Sequence, residues 1–205
     1  LTKAGSEQSF VRFMRACAAR TGQLLNINDL CRDADISHPT GKQWLSVLIS
    51  SGIIHQLEPF SNNITSRMVK APKLFFTDTG LAAYLAGWST PEVIEAGAMA
   101  GAMLETWVVI EILKGYRNHA KAGQLYFYRD RDKREIDLLI VKDNTLYPIE
   151  IKKSANPTVD SFRHFSVLEK IQTGGMKVGA GAVLCFVQQQ VPLNKTVDAV
   201  PVGML

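Results

Sequence analysis

The sequence predicts an α/β (α+β) chain of two modules: a small helical module carrying a pair of strands, then a larger one built on a mixed central sheet flanked by helices. Three observations carry this expectation. Apolar side chains in the first fifty residues recur at spacings of three and four, and two short β-rich runs follow them. Between Arg134 and Lys153 apolar and polar residues alternate on both sides of a polar turn, the mark of a β-hairpin. Gly87, Ser89 and Pro91 read as a linker between these regions, which gives modules 1–90 and 91–205.

Ser6 to Thr21 places Phe10, Phe13, Met14 and Cys17 on one helical face, and Gly22 ends the run. A short helix is expected from Asn28, as its N-cap, to Ala34. Ser37 is placed to cap a third helix that Pro39 opens, Trp44, Leu45, Leu48 and Ile49 continue, and Gly52 closes. Ile53 to Leu57 and Lys73 to Thr77 read as strands around the polar turn Ser61-Asn62-Asn63. Three helices and a two-stranded wing describe a winged helix-turn-helix. Its third helix would be the DNA reader, yet Lys42 is its only basic residue between Ser37 and Ser51, where base and phosphate contacts draw on several Arg, Lys, Asn or Gln. Arg67, Lys70 and Lys73 near the wing are the other phosphate contacts on offer. A protein-interaction or positioning role is the expectation, and transcriptional regulation the alternative. His38 and His55 read as surface or capping residues.

Phe75 to Leu85 leads into a short helix. Met99 to Tyr116 follows, with Leu104, Trp107, Val108, Val109, Ile110, Ile112 and Leu113 nearly encircling it, so burial on most sides is expected. Glu105 interrupts that surface, where it has an ordinary explanation as a first-turn charge favourable to the helix dipole. A strand from Gln124 to Tyr128, the charged turn Arg129 to Lys133, and the hairpin come next. Asp130 and Asp132 sit among so many bases that they belong to the turn. Pro157 opens a helix to about Ile171, with Phe162, Phe165 and Leu168 at helical spacing. Gly174, Gly175, Gly179 and Gly181 form a flexible connection into a strand from Ala182 to Val187, and a last strand occupies Val197 to Val202.

The chain has 205 residues, enough for one large or two small cores, and 46% of them are apolar. No apolar run is long enough to span a bilayer, and the start, LTKAGSEQ, lacks the pattern of a signal peptide; without an initiator Met it reads as a fragment of something longer. The net charge of +4 is concentrated in residues 1 to 90, which hold nine Lys or Arg against six Asp or Glu, an excess too small to establish nucleic-acid binding. Cys17, Cys31 and Cys185 are odd in number and widely spaced, which excludes a zinc-ligand pattern and suits reduced thiols in the cytoplasm.

The hairpin carries the chemistry. Side chains alternate along a strand, so Glu150 and Lys152 project together while Ile149 and Ile151 point the other way. Asp137 sits among Ile136, Leu138, Leu139 and Ile140. Charges embedded in core-forming strands cost desolvation unless they pair, bind a metal or do chemistry. Two carboxylates suit a hard divalent cation such as Mg²⁺, and a nearby lysine stabilises an anionic transition state or positions a water. The ordinary alternative is an exposed edge-strand pair of Glu150 with Lys152, and Asp137 capping a turn.

Asp137 followed by Glu150-Ile151-Lys152 resembles the PD-(D/E)XK nuclease superfamily, with Ile136 where Pro often stands. The element order helix, three antiparallel strands, helix, strand is similar to the core of that restriction-endonuclease-like fold. The resemblance implies that Glu105, Asp137 and Glu150 bind Mg²⁺ or Mn²⁺ and that Lys152 assists water attack on a phosphodiester of DNA or RNA, with Arg129, Arg131 and Arg134 placed to hold backbone phosphates. KAPKLFFTDTGLAAYLAG (Lys70 to Gly87), GAMLETWVVIEILK (Gly101 to Lys114), YFYRDRDKREIDLLI (Tyr126 to Ile140) and LYPIEIKKSANP (Leu146 to Pro157) together resemble the C-terminal region of prokaryotic AAA-type ATPases carrying domain of unknown function 4143. Lys133 departs from that pattern, since many relatives carry Gly there. By this resemblance ATP would belong to an ATPase part that precedes this region, because the chain has no Walker A pattern. The expected function is a metal-dependent nuclease module of such an ATPase; the alternative is a non-catalytic regulatory or docking module for its own or a partner ATPase domain, without contact to a membrane.

Overall fold

The computed structural model describes residues 3–60, 71–88, 90–119, 124–170 and 175–205. It divides into two compact units, Leu1–Gln56 with Ala71–Trp107, and Leu57–Lys70 with Val108–Leu205.

In the first unit, helices α1 (Lys3–Ala18), α2 (Ile27–Ala34) and α3 (His38–Ser50) are followed by strands β2 (Ile54–Leu57) and β3 (Lys73–Phe76). The three-and-four spacing is what buries their apolar faces. Phe13, Cys17, Leu30, Leu48, Ile54, Leu74 and Phe76 form one almost solvent-free cluster. The rings of Phe10 and Phe13 meet Trp44 edge-on at 5.2 and 5.8 Å. Ser37 caps α3 as expected, its hydroxyl accepting from Thr40 N–H.

Several local expectations change. The cap of α2 is Asn26 rather than Asn28: Asn26 Oδ1 accepts from the N–H groups of Asn28 and Asp29, because the helix already begins at Ile27. A two-residue strand β1 (Gln23–Leu24), entered through Gly22 at φ +76°, pairs with β3 and makes the sheet three-stranded in the order β1-β3-β2. Two residues are too few to show a period in sequence. Lys73, expected near the wing as a phosphate contact, is 2% exposed, and its Nζ lies 2.6 Å from Glu105 Oε1. The turn Ser61-Asn62-Asn63, with Arg67 and Lys70, lies outside the described residues, as does Ser89. Helix α4 (Thr79–Leu85) is capped by Asp78. Where a linker was expected, Thr90 caps a further helix, α5 (Pro91–Ala96), whose Ile94 packs on the first unit's core together with Trp88. The two compact units meet inside α6 (Ala100–Asn118), between Trp107 and Val108.

Gly41 shows how tightly α3 meets α2. A Cβ there would lie 2.2 Å from Cys31 Sγ. Gly41→Ala is therefore expected to destabilise the unit by ~1–2 kcal/mol, since an overpacking cost of ~1–3 kcal/mol outweighs the gain in helix propensity. Adding Cys31→Ala should restore the loss, and the urea midpoints of the two variants check both signs.

The second unit is a mixed sheet. Strands β4 (Gln124–Arg129), β5 (Glu135–Lys142) and β6 (Thr145–Ile151) are antiparallel neighbours. Beyond them β8 (Gly181–Cys185) runs parallel to β6, β10 (Val197–Pro201) parallel to β8, and β9 (Val191–Pro192) antiparallel at the edge. The short β7 (Lys177–Val178) pairs with the start of β6. Asp143 and Asn144 both take positive φ, 49° and 57°, so the hairpin closes through a two-residue turn whose twist matches the strands. Lys133 has φ +62°, the conformation that favours glycine. The edge of β4 is covered by backbone bonds between Phe127 and residues Glu58 and Phe60.

Among the described residues, which leave out Ile171, the segment after β6 is not the α-helix expected from Pro157 to about Ile171. It is a 3₁₀ helix, Val159–Val167, with a non-helical Phe162 (φ −124°, ψ 22°). Phe162 and Phe165 are both buried, and their spacing of three suits the 3₁₀ period better than 3.6. With Ile136, Leu139, Leu146, Val183 and Val197 they form this unit's core. No helix among the described residues is long and apolar enough to cross a membrane.

Candidate functional site

At the far end of the hairpin from its turn, the β5–β6 ladder stops. Its last paired residues are Leu138 and Ile149, so the register continued by one residue sets Asp137 beside Glu150. There a side chain replaces the backbone bond: Asp137 Oδ2 accepts from Ile151 N–H at 2.8 Å. This fixes the Asp137 carboxylate over β6. Beyond the ladder, Lys152 N–H donates to Leu184 O, which carries the lysine along β8.

Three of the residues expected from the sequence come together here. Lys152 Nζ donates to Glu150 Oε2 at 2.7 Å and lies 3.9 Å from Asp137 Oδ2. Glu150 is 3% exposed, whereas the Lys152 side chain is 40% exposed, so the ammonium reaches solvent from a buried carboxyl. Burial, and secondly the charge of Asp137, push the Glu150 carboxyl up to about 9, against the lowering effect of Lys152. The exposed edge pair of the alternative reading is thus excluded for Glu150: its strand is interior, between β5 and β8.

These residues line a cleft of about 400 Å³ within the second unit, closed on one side by the 3₁₀ segment. Sequence reasoning missed several of its groups. Glu135 stands two residues before Asp137 on β5, and that i, i+2 spacing was the available signal for a shared face. Asp160, Arg163 and His164 reach the cleft from the 3₁₀ helix, whose geometry no helical period foretold.

Glu105, the third expected metal ligand, belongs to the first unit. It is the sixth residue of α6 rather than part of its first turn, and its carboxylate meets the buried Lys73. Two of the three arginines expected to hold phosphates are bound to acidic side chains. Arg129 Nη1 donates to Glu135 Oε2 at 2.8 Å. Arg134 Nε donates to the buried Asp130 at 2.7 Å, and its Nη2 lies 3.3 Å from Asp132. Arg131 is an exposed residue of the turn. Asp130 and Asp132 are turn residues as expected; Asp130 Oδ1 also accepts from Arg134 N–H. Burial, and secondly the Asp130 charge, raise the Tyr128 phenol beside them.

Comparison with known proteins places this unit. Two uncharacterized proteins, of Mycobacterium bovis and Mycobacterium tuberculosis, are each 26% identical to the chain over 184 residues. The aligned part is 90% of this chain, and the chain spans 40% of the length of these relatives. No solved structure matches. Residues 1–92 match a domain of unknown function, DUF8612. Residues 100–205, more than half of the chain and including Asp137, Glu150 and Lys152, match a second domain of unknown function, DUF4143, and the chain belongs to that family.

Proposed function

We propose that the second unit is a nuclease module of the PD-(D/E)XK type, cutting nucleic-acid phosphodiesters with Mg²⁺ or Mn²⁺ at Asp137 and Glu150. The observation that carries this reading is the convergence of Asp137, Glu150 and Lys152 at one cleft beside a buried carboxyl. The donor set fits a hard divalent cation: two carboxylates against one ammonium leave a negative excess when ionised. A cation bound there supplies Lewis-acid stabilisation of phosphate charge and a more acidic water.

The chain's own groups act as follows. The bond from Ile151 N–H holds Asp137 in one orientation. Glu150 offers its carboxylate from a site shielded from bulk water, where electrostatic interactions are stronger. Lys152, anchored through the Leu184 carbonyl, presents its ammonium to the anionic transition state. Glu105 is carried as a ligand by the family resemblance. In this reading the chain is the C-terminal part of an AAA-type ATPase. It is supported by the four matching segments and by relatives long enough to hold a further domain.

The docking alternative has one observation in its favour: the Lys152–Glu150 bond at 2.7 Å neutralises the carboxyl without a metal. Single- and double-stranded DNA and RNA incubated with Mg²⁺ or Mn²⁺ decide between them. Cleavage that disappears in Asp137→Ala supports the nuclease; cleavage that persists in it, or none by the unaltered chain, leaves the docking module.

A further inference from the structure

We propose that Arg163, oriented by His164, is the group that grips a backbone phosphate of the substrate strand, so that phosphate contact enters from the 3₁₀ segment rather than from the β4–β5 turn. The proposal rests on the reading of this cleft as a phosphodiester site.

An acid-lined cleft needs cations on its walls if a polyanion is to enter, and three arginine side chains near it compare as follows. Arg129 is 29% exposed and bound to Glu135; Arg134 is held by the buried Asp130 and by Asp132. Arg163 is 64% exposed, and the cleft includes it while including neither of the others. Its hold on Asp160 is a 3.3 Å contact between two largely exposed groups three residues apart. Such pairs contribute little, so a phosphate offering two oxygens to the planar fork can replace the aspartate.

His164 sets the direction of that fork. Arg163 Nε donates to His164 Nε2 at 3.2 Å, which requires an imidazole nitrogen without a proton. His164 Nδ1 faces the backbone of Glu135, 3.1 Å from its O and 3.4 Å from its N. The ring is thus tied to the strand that carries Asp137 and passes that orientation to Arg163. The kink at Phe162 serves the same end: Phe162 and Phe165 face the core while Arg163 and His164 both line the cleft.

The test measures binding of labelled single-stranded and duplex DNA to the whole chain by fluorescence anisotropy, across a salt series, with Ca²⁺ in place of Mg²⁺. Arg163→Ala should weaken binding about tenfold and lower the slope of log affinity against log salt by about one. Arg163→Lys should recover the slope but only part of the affinity. Lys142→Ala, at the other end of β5, removes the same charge and should change neither. His164→Ala should weaken binding while keeping the slope, because the phosphate contact survives with poorer orientation. A slope lost in His164→Ala as fully as in Arg163→Ala would make the imidazole the contact and overturn the assignment. Unchanged affinity in Arg163→Ala, or no binding of either DNA by the unaltered chain, would also overturn it. If Arg163→Ala weakens binding but the unaltered chain cuts nothing with Mg²⁺ or Mn²⁺, the hydrolytic reading fails and the clamp stands.

Discussion

Lys152→Ala is expected to remove metal-dependent cleavage, lowering the rate by at least ~10²–10³, the scale seen when one preorganised stabiliser of transition-state charge is deleted. The expectation follows from position. The ammonium donates to Glu150 at 2.7 Å and also stands 3.9 Å from Asp137. A guanidinium cannot substitute: its fork is larger and planar where a compact charge now fits, so Lys152→Arg should be nearly as inactive. Asp137→Ala should be inactive too, and it also removes the acceptor of Ile151 N–H. Gel assays of single- and double-stranded substrates measure the loss, with circular dichroism confirming that each variant is folded. Turnover within a few-fold of the unaltered chain in Lys152→Ala would refute the role assigned to it.

The second large effect is on stability. Glu150 in the fold holds its proton up to about 9 because burial and Asp137 disfavour its charge, while in the unfolded chain it titrates near its usual value of 4.5. Between those values the folded state binds more protons than the unfolded state, so stability must fall as pH rises. The stabilisation from the protonated carboxyl is fully present below about 4.5 and is lost as pH climbs toward 9, with a limiting slope of ~1.4 kcal/mol per pH unit for one proton. Glu150→Gln should remove this group's share, and the difference in melting temperature between the two proteins across that window, in chelator, measures it. A difference that is flat with pH would show that Glu150 is ionised throughout. Bound Mg²⁺ or Mn²⁺ competes with that proton, so metal affinity should rise over the same window. Calorimetric titration at several pH values checks it.

Much of this protein was legible in its sequence because the signals are local. Helices α1 and α3 announce themselves through apolar spacing, and Ser37 through its capping chemistry. The hairpin is visible in the alternation around Asp143 and Asn144, whose small polar side chains tolerate the positive φ of that turn. Asp137, Glu150 and Lys152 were found for the same reason: side-chain period two fixes which charges share a face once the strands are known. What failed was short or dependent on partners. Strand β1 has two residues, and Asn26 caps α2 only because the chain turns one residue earlier than the pattern suggested.

The sequence by itself determined the longer helices, the hairpin and the identity of its charged trio. Only the tertiary structure decided what those charges meet. It placed Glu150 between β5 and β8, where burial rather than sequence position shifts its proton. It drew Lys73 onto Glu105, and Arg129 and Arg134 onto acids. It also brought Arg163 and His164 to the cleft through a kink at Phe162. Strand and helix periods are set by backbone geometry within a few residues, whereas ion pairing and desolvation depend on groups far apart in the chain that folding brings within a few ångströms.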